Sequence, residues 1–558
     1  MNETLSIDAY SPVATFSGTW LPDESAPRTD SAAMADALAR WDRPVYVVDF
    51  DGAIGVAQDG AAQLGNVAAG ERRAGHRLMA LVPALRPEQL GDSEFRETHR
   101  VRFAYVAGEM ANGIGSAEMV EAMARAGMLG FFGAAGLPIE RVDAAIERIR
   151  NTVGDRTFGF NLIHSPSEPD LEAAVADLYL RRGVRLVSAS AYLDLTLPLV
   201  RYRVSGIRRE RDGAVVAPNR VMAKVSRVEV ARKFLSPPPA KFLEALVQRG
   251  DITAEQARWA ECIPMADDLT AEADSGGHTD NRPLVALLPT MIALRDELQA
   301  RFCFARPVRI GAAGGISTPA SAAAAFAMGA AYVVTGSVNQ SCVEAGTSAA
   351  VKEMLAKAGQ ADVIMAPAAD MFEMGVKVQV LKWGTMFAVR GQKLYELYRA
   401  FERLEDVPPA QRSMLEKDYF RCSLEEAWAS TRAFFERRDP RQIERADRDP
   451  KHKMALVFRA YLGQASKWAI QGESSRRPDY QVWCGPAMGA FNEWVRGTVL
   501  ERPEQRGVVT VALNIMAGAA VGLRAAWLRS QGVHVPPDAA RFAPRSPEEL
   551  GLSLAASD

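Results

Sequence analysis

The stretch R-I-G-A-A-G-G-I-S-T-P (Arg309 to Pro319), followed one strand later by Y-V-V-T-G-S-V-N-Q (Tyr332 to Gln340), decides the fold of this chain. Each half reads as a short apolar strand that runs into a glycine turn and then into a helix start. In a (β/α)8 barrel the loops after strands 7 and 8 commonly form a phosphate site from backbone N–H groups and a helix N-terminus. Gly314 and Gly315 let the backbone approach an oxygen with no Cβ in the way, and Ser317 or Thr318 caps the next helix. Gly336 and Ser337 close the cage from the other side. Neither loop carries Lys or Arg at its tip, so recognition by backbone dipoles is expected, which suits a tightly held phosphate monoester. The plainer alternative is a pair of turn glycines with helix caps and no ligand.

Upstream of these loops, short apolar runs recur between amphipathic segments. The candidate strands are 101–107, 128–133, 158–163, 185–190, 220–226, 262–268, 308–314 and 331–337. Helical patterns occupy 116–127, 138–153, 168–183, 282–302 and 318–330. Eight strands alternating with helices predict an α/β fold, a (β/α)8 TIM barrel over residues 100–345. Residues 229–262 exceed one βα connection and read as a helical insertion at the loop end of the barrel, where insertions shape substrate access. Residues 1–99 read as a small β-rich N-terminal module, because P-V-Y-V-V-D-F-D-G-A-I-G-V-A (Pro44 to Ala57) is two β-runs around an Asp-Gly turn. The same stretch resembles the nucleophile loop of haloacid-dehalogenase phosphatases, but Ala53 replaces the usual Thr and a second apolar run follows at once, so a hairpin is expected. Beyond residue 345 the strand rhythm ends, and 346–558 is expected to be a mainly α-helical C-terminal domain.

The 66 basic residues nearly cancel the 68 acidic ones, so no overall field attracts a polyanion and nucleic acid is a poor partner. Five scattered cysteines offer no zinc or C-x-x-C spacing, which fits a reducing compartment. The N-terminus lacks a basic segment followed by an apolar core, so a cytoplasmic location is expected. The longest apolar run, Val508 to Leu523, contains Thr510 and Asn514 and stops at Arg524, short of the roughly 20 residues of a bilayer span. It predicts a buried helix and no membrane partner.

The segment D-D-L-T-A-E-A-D-S-G-G-H-T-D-N-R-P (Asp267 to Pro283) places His278 after paired glycines on the catalytic rim. An imidazole there can hydrogen-bond a carbonyl and deliver a proton near neutral pH. Of the six histidines, His76, His99, His452 and His534 fall outside the barrel loops, and His164, after the third strand, is the second candidate. Asp267, Asp268, Glu272, Asp274, His278 and Asp280 match no metal-site template, so a solvated acidic loop is expected and no metal.

G-E-M-A-N-G-I-G-S (Gly108 to Ser116), G-F-N-L-I-H-S (Gly159 to Ser165), the histidine loop and the two glycine loops together resemble the FMN-dependent nitronate monooxygenase and enoyl reductase barrel superfamily. That superfamily typically shows E-A-G-G-H-x-G, whereas here Asp274 and Ser275 are inserted and Asp280 stands for the last Gly. With A-K-V-S-R (Ala223 to Arg227), the helical insertion and C-G-P-A-M-G-A-F-N-E-W-V-R-G-T (Cys484 to Thr498), the chain resembles the PfaD-type trans-acting enoyl reductases of polyunsaturated fatty acid and polyketide synthases.

The resemblance implies FMN on the barrel rim, its phosphate on Gly314, Gly315, Gly336 and Ser337. It also implies that Met110, Ala111, Asn161, Lys224 and Gly277 contact the cofactor, with Lys224 near N1 or O2 stabilising reduced flavin. NADPH would visit transiently, and hydride would pass to the β-carbon of a 2-enoyl thioester on an acyl carrier protein of a polyketide or fatty acid synthase. His278 is the candidate proton donor, with Lys224 or water as alternatives. A homodimer is implied at family level. An acidic carrier would favour a basic surface, for which R-E-R (Arg209 to Arg211) and E-R-R-D-P-R (Glu436 to Arg441) are candidates. The rival readings are a nitronate-type flavin oxidase, a non-catalytic synthase assembly protein and a metal-independent phosphosugar barrel enzyme.

Overall fold

The computed structural model describes residues 18–65, 75–164 and 169–551; residues 1–17 and Ser165, the last residue of G-F-N-L-I-H-S, lie outside them. Strands β1 (Gly18–Leu21), β2 (Val45–Phe50), β3 (Ala53–Ala57), β4 (Ala61–Leu64) and β5 (His76–Val82) form one sheet in the order β3-β2-β5-β1-β4. Asp51 and Gly52 both have positive φ, 52° and 83°, as a two-residue hairpin turn between right-twisted strands requires. Asp49 Oδ1 accepts from Gly52 N at 3.1 Å, so the Asp-x-Asp-Gly stretch is a hairpin turn, as expected.

A closed parallel barrel follows: β6 (Tyr105–Ala107), β7 (Leu129–Phe132), β8 (Gly159–Ile163), β9 (Leu186–Ser190), then, after the small hairpin β10 (Arg208–Arg209) and β11 (Val215–Val216), β12 (Arg220–Val225), β13 (Asp268–Glu272), β15 (Arg309–Ala313) and β16 (Val333–Thr335). The two-residue strand β14 (Gly277–His278) leaves the barrel after β13. Closure comes from β16 pairing with β6, Val333 opposite Tyr105.

The sixth barrel strand differs from expectation. It is D-L-T-A-E, and C-I-P-M-A-D-D is mostly the connection below it. Met265 N and Ala266 N donate to Ser236 O and Phe234 O, both at 3.0 Å. Leu269 and Ala271 are fully buried on one side of the strand, while Asp268 and Thr270 are equally buried on the other. Asp268 is met by His99 Nε2 at 2.8 Å and Arg309 Nε at 2.6 Å, and Thr270 Oγ1 by Tyr332 OH at 2.8 Å. Partners from the neighbouring strand β15, from the helix Ser93–His99 and from Tyr332 just before β16 make a polar sequence compatible with a barrel interior.

The helical insertion is also on the opposite face from that expected. The helix Val228–Phe234 already carries the chain from the C-terminal end of β12 down to the start of β13. The extra helices, Ala240–Gln248 and Ala254–Ala260, lie between Ser236 and Met265, and Gln256 Nε2 donates to Ile207 O beside the β10–β11 hairpin. The insertion therefore packs under the barrel and leaves the catalytic rim to other segments.

Beyond residue 345 the chain is not purely helical. β17 (Val363–Pro367) and β18 (Lys377–Leu381) form an antiparallel hairpin, and β14 adds to it, giving the order β14-β18-β17. Phe372, Leu394, Phe458, Tyr461 and Leu462 make a separate core under this hairpin with the helices Phe387–Ala400 and Pro450–Gln471. The later helix Val508–Ser530 belongs to the barrel's own core and packs on the barrel helix Pro319–Ala327. A Cβ at Gly518 would lie 2.5 Å from Pro319 Cγ, so the small residues of this helix permit a close crossing. By length and composition it is long and apolar enough to cross a bilayer, yet it is mostly buried against protein. Its Arg524 is buried and donates to Ala37 O, Leu38 O and Arg43 O at 3.3, 2.8 and 2.6 Å, tying the N-terminal module to the barrel.

Candidate active site

The C-terminal ends of β6, β12, β13, β15 and β16 surround a cleft that is partly open to solvent. Gly314 to Ile316 and Gly336 to Ser337 form one wall, Lys224, Glu109 and Glu272 the floor, and Trp483 and Ala487 come from the C-terminal segment. Gly314 has φ +80°, and a Cβ there would lie 2.5 Å from the Ala273 carbonyl carbon. Gly315 and Gly336 differ: a Cβ on either would meet nothing within 4 Å. Among the described residues, the N–H groups of Gly315, Ile316, Gly336 and Ser337 find no protein acceptor. Backbone donors facing open space are a cradle for an anionic oxygen.

Lys224, at the end of β12, reaches Glu109 Oε1 at 3.0 Å and Glu272 Oε1 at 3.3 Å. Burial works to lower its pKa, but the two carboxylates override that and hold the ammonium charged. Burial raises the Glu272 pKa above the ordinary glutamate value, with Lys224 opposing the effect and Glu109 adding to it.

His278, on β14, lies with Nε2 3.3 Å from Asp370 Oδ1, and Asp370 belongs to the loop between β17 and β18. Burial would depress the imidazole pKa; the Asp370 carboxylate, with Glu272 behind it, raises it instead. The inserted Asp274 is an anchor: its Oδ1 accepts from Gln379 Nε2 at 2.7 Å and Asn281 Nδ2 at 2.8 Å. Gln379 Nε2 also donates to Ser275 O at 2.8 Å, so the insertion binds the histidine loop to β18. Asp280 accepts from Ser226 Oγ at 2.6 Å and from two nitrogens of Arg227 at 2.9 Å, and the Arg227 bonds bring its pKa down to about 2.

A family model for nitronate monooxygenase matches residues 93–383, more than half of the chain. The chain belongs to the nitronate monooxygenase family. Within that family it is of the PfaD type. Residues 20–84 match the N-terminal domain of the fatty acid synthase component PfaD, and the enoyl reductase domain of MlnA from the macrolactin cluster of Bacillus amyloliquefaciens is 42% identical. That crystal structure superposes with a TM-score of 0.76 over 79% of this chain and 99% of its own. Residues 401–480 match the inserted helical domain of [acyl-carrier-protein] S-malonyltransferase. A polyunsaturated fatty acid synthase component of Thraustochytrium sp. is 49% identical over 77% of this chain, and polyketide biosynthesis protein PksE of Bacillus subtilis 44% over 80%. The chain spans 29% and 58% of the length of those two relatives.

In this PfaD-type barrel the segment that begins at Cys484 roofs the cleft. Gly485 N donates to Ser337 Oγ at 3.0 Å, and a Cβ on Gly276 would lie 2.8 Å from Cys484 N, so two glycine backbones pack face to face. Burial pushes the Cys484 thiol up to about 12, which leaves it a protonated packing group.

The residues named from sequence divide into two sets. Met110, Lys224, Gly314, Gly315, Gly336 and Ser337 line the cleft together. Ala111, Gly277 and His278 lie beside it without enclosing it, and Asn161 is buried, donating to Ser190 Oγ at 2.8 Å and Ser188 O at 3.3 Å. His164 stacks on Tyr192 and pairs through Nδ1 with Glu172 at 3.1 Å. The sequence reading missed Glu109, Asp370, Gln379 and Trp483, and gave Glu272 only to an acidic loop. Glu109 did carry a signal, since a carboxylate directly after a barrel strand lies on the catalytic rim. Asp370 and Gln379 carried none, because only the β17–β18 hairpin brings them to His278.

Proposed function

We propose that the protein holds FMN in the rim cleft and uses NADPH to reduce the double bond of a 2-enoyl thioester carried on an acyl carrier protein of a polyketide or fatty acid synthase. The observation that carries this reading is the likeness to the enoyl reductase domain of MlnA along 99% of that chain. The match of residues 401–480 to a helical domain of an acyl-carrier-protein transferase favours a carrier-bound substrate.

The residues present fit FMN. Free N–H groups at Gly315, Ile316, Gly336 and Ser337 face a space that a Cβ at either glycine would enter, as a phosphate cradle requires. FMN, when bound, supplies hydride relay between the nicotinamide and the enoyl β-carbon. Lys224, fixed by Glu109 and Glu272, keeps a positive charge at the cleft floor for developing negative charge. The α-carbon must gain a proton, and His278, whose pKa the Asp370 carboxylate raises, is the donor in this reading. Trp483 and the segment after Cys484 cover part of the same space.

The test is product analysis. Protein reconstituted with FMN and supplied with NADPH and a crotonyl-loaded carrier should yield the butyryl carrier, a gain of two hydrogens by mass. The family model itself favours one second reading, a nitronate oxidase. Oxygen consumption with alkyl nitronates and no butyryl product would establish that reading instead.

A further inference from the structure

The two basic segments seen in the sequence end up on opposite faces of the barrel. R-E-R belongs to the β10–β11 hairpin, which directly precedes β12 and lies at the N-terminal end, away from the cleft. Its charges are absorbed locally: Arg208 Nε pairs with Glu210 at 2.8 Å, and Arg209 Nε donates to Gly213 O at 3.2 Å. E-R-R-D-P-R instead forms the turn between the helices Leu424–Arg438 and Pro440–Ala446. Arg441 of this turn pairs with Asp170 at 2.8 Å, and Asp170 opens the helix that follows the C-terminal end of β8. The turn therefore stands over the cleft-bearing rim.

A second helix brings another cation to the same place. Ser466 Oγ accepts from Asn112 Nδ2 at 3.2 Å, and Asn112 lies in the rim loop after β6, so its neighbour Lys467 is also at the rim. Lys467 Nζ and the Arg438 guanidinium stand 5.6 and 5.7 Å from the ring centre of Phe434, which is 38% exposed. Arg437 shares the helix face of Phe434 at a spacing of three residues. Among the described residues, neither Arg437 nor Lys467 has a carboxylate within 4.0 Å. Burial and the nearby Arg438 both lower the Lys467 pKa, and an anion beside Lys467 and Arg437, the two cations without a carboxylate partner, offsets that effect. An exposed aromatic ring beside arginine is a composition enriched at protein contacts, whereas an isolated phosphate would need no ring.

We infer that Phe434, Arg437 and Lys467 form the docking surface for the acyl carrier domain, an acidic partner whose phosphopantetheine arm enters the cleft from this side of the rim. The inference rests on the carrier-bound substrate proposed above and locates where the carrier sits.

The experiment compares wild type with R437E/K467E and, as a control on the opposite face, R208E/R209E. Each is assayed with crotonyl-loaded acyl carrier protein and with the small thioester crotonyl N-acetylcysteamine, and carrier binding is measured separately by calorimetry. For R437E/K467E, KM for the carrier substrate should rise by about tenfold or more while kcat and the small-thioester kinetics stay within about twofold, as expected for charges that steer docking. R208E/R209E should behave as wild type in every assay. A carrier KM within about twofold of wild type in R437E/K467E, or a larger effect of R208E/R209E, overturns the inference. Wild type that reduces neither thioester defeats the proposed function, and the docking surface is then judged on binding alone: equal carrier affinity of wild type and R437E/K467E refutes it, weaker binding by the variant supports it.

Discussion

Gly336→Ala isolates the cradle from the stability of the barrel. The residue has φ −130°, outside the left-handed region, and an added Cβ meets no atom within 4 Å, so the variant meets no packing clash. What the methyl group does is occupy the space in front of the Gly336 and Ser337 N–H groups. A hydrogen bond to a charged group contributes about 1.5–3 kcal/mol, so losing one such bond to the phosphate weakens FMN binding by roughly 10- to 150-fold. Gly314→Ala is the contrast. It combines φ +80° with a Cβ 2.5 Å from the Ala273 carbonyl carbon, a backbone atom that cannot move cheaply. Left-handed strain of about 1–2 kcal/mol and overpacking of about 1–3 kcal/mol should lower stability by roughly 2–5 kcal/mol. The assay is a thermal melt of cofactor-free protein alongside a flavin fluorescence titration with FMN. Gly336→Ala should keep the wild-type melting midpoint and lose affinity, whereas Gly314→Ala should lose the midpoint. An FMN affinity within about twofold of wild type for a stable Gly336→Ala protein would refute the cradle.

Three further outcomes follow from the same geometry. Because Asp370 raises the His278 pKa, a step that needs the imidazolium fades as pH rises through that pKa; Asp370→Asn should move the alkaline limb of enoyl thioester reduction to lower pH, and an unmoved limb would remove His278 from proton delivery. Asp268 is fully buried, and His99 and Arg309 outweigh desolvation to hold it at about 2, so its contribution of roughly 2–3 kcal/mol is complete above its usual range and is lost as pH falls toward 2. The gap in melting midpoint between wild type and Asp268→Asn should narrow on acidification, and a constant gap would contradict that. Arg524→Met removes the Arg524 bonds to Leu38 O, Arg43 O and Ala37 O, the last of which keeps Gln58 Nε2 as a donor; a buried carbonyl left unpaired costs about 1–3 kcal/mol, and the variant should speed proteolysis within residues 18–65 without changing FMN affinity. Unchanged proteolysis would show that the N-terminal module is held by other contacts.

Much of the barrel was legible because seven of its strands are short apolar runs with both faces buried, and because the glycine loops announce the rim. The sixth strand was not, since Asp268, Thr270 and Glu272 look solvent-facing until His99, Tyr332 and Lys224 arrive from elsewhere in the chain. The insertion was assigned to the wrong end because sequence length says that a connection is long without saying on which side of the helix Val228–Phe234 the excess falls. Lys224 was legible as a cleft residue, but its two carboxylates were not paired with it. E-R-R-D-P-R was legible as a basic segment, whereas Asp370 and Lys467 reach the rim through a hairpin and a helix whose docking there has no local sequence signal.

The most direct test is an anaerobic half-reaction series followed by flavin absorbance. FMN-loaded protein should bleach when one equivalent of NADPH is added and recover its oxidised spectrum when crotonyl-loaded carrier protein follows, with butyryl carrier formed in equal amount. Bleaching that persists until oxygen is admitted would contradict the enoyl reductase assignment.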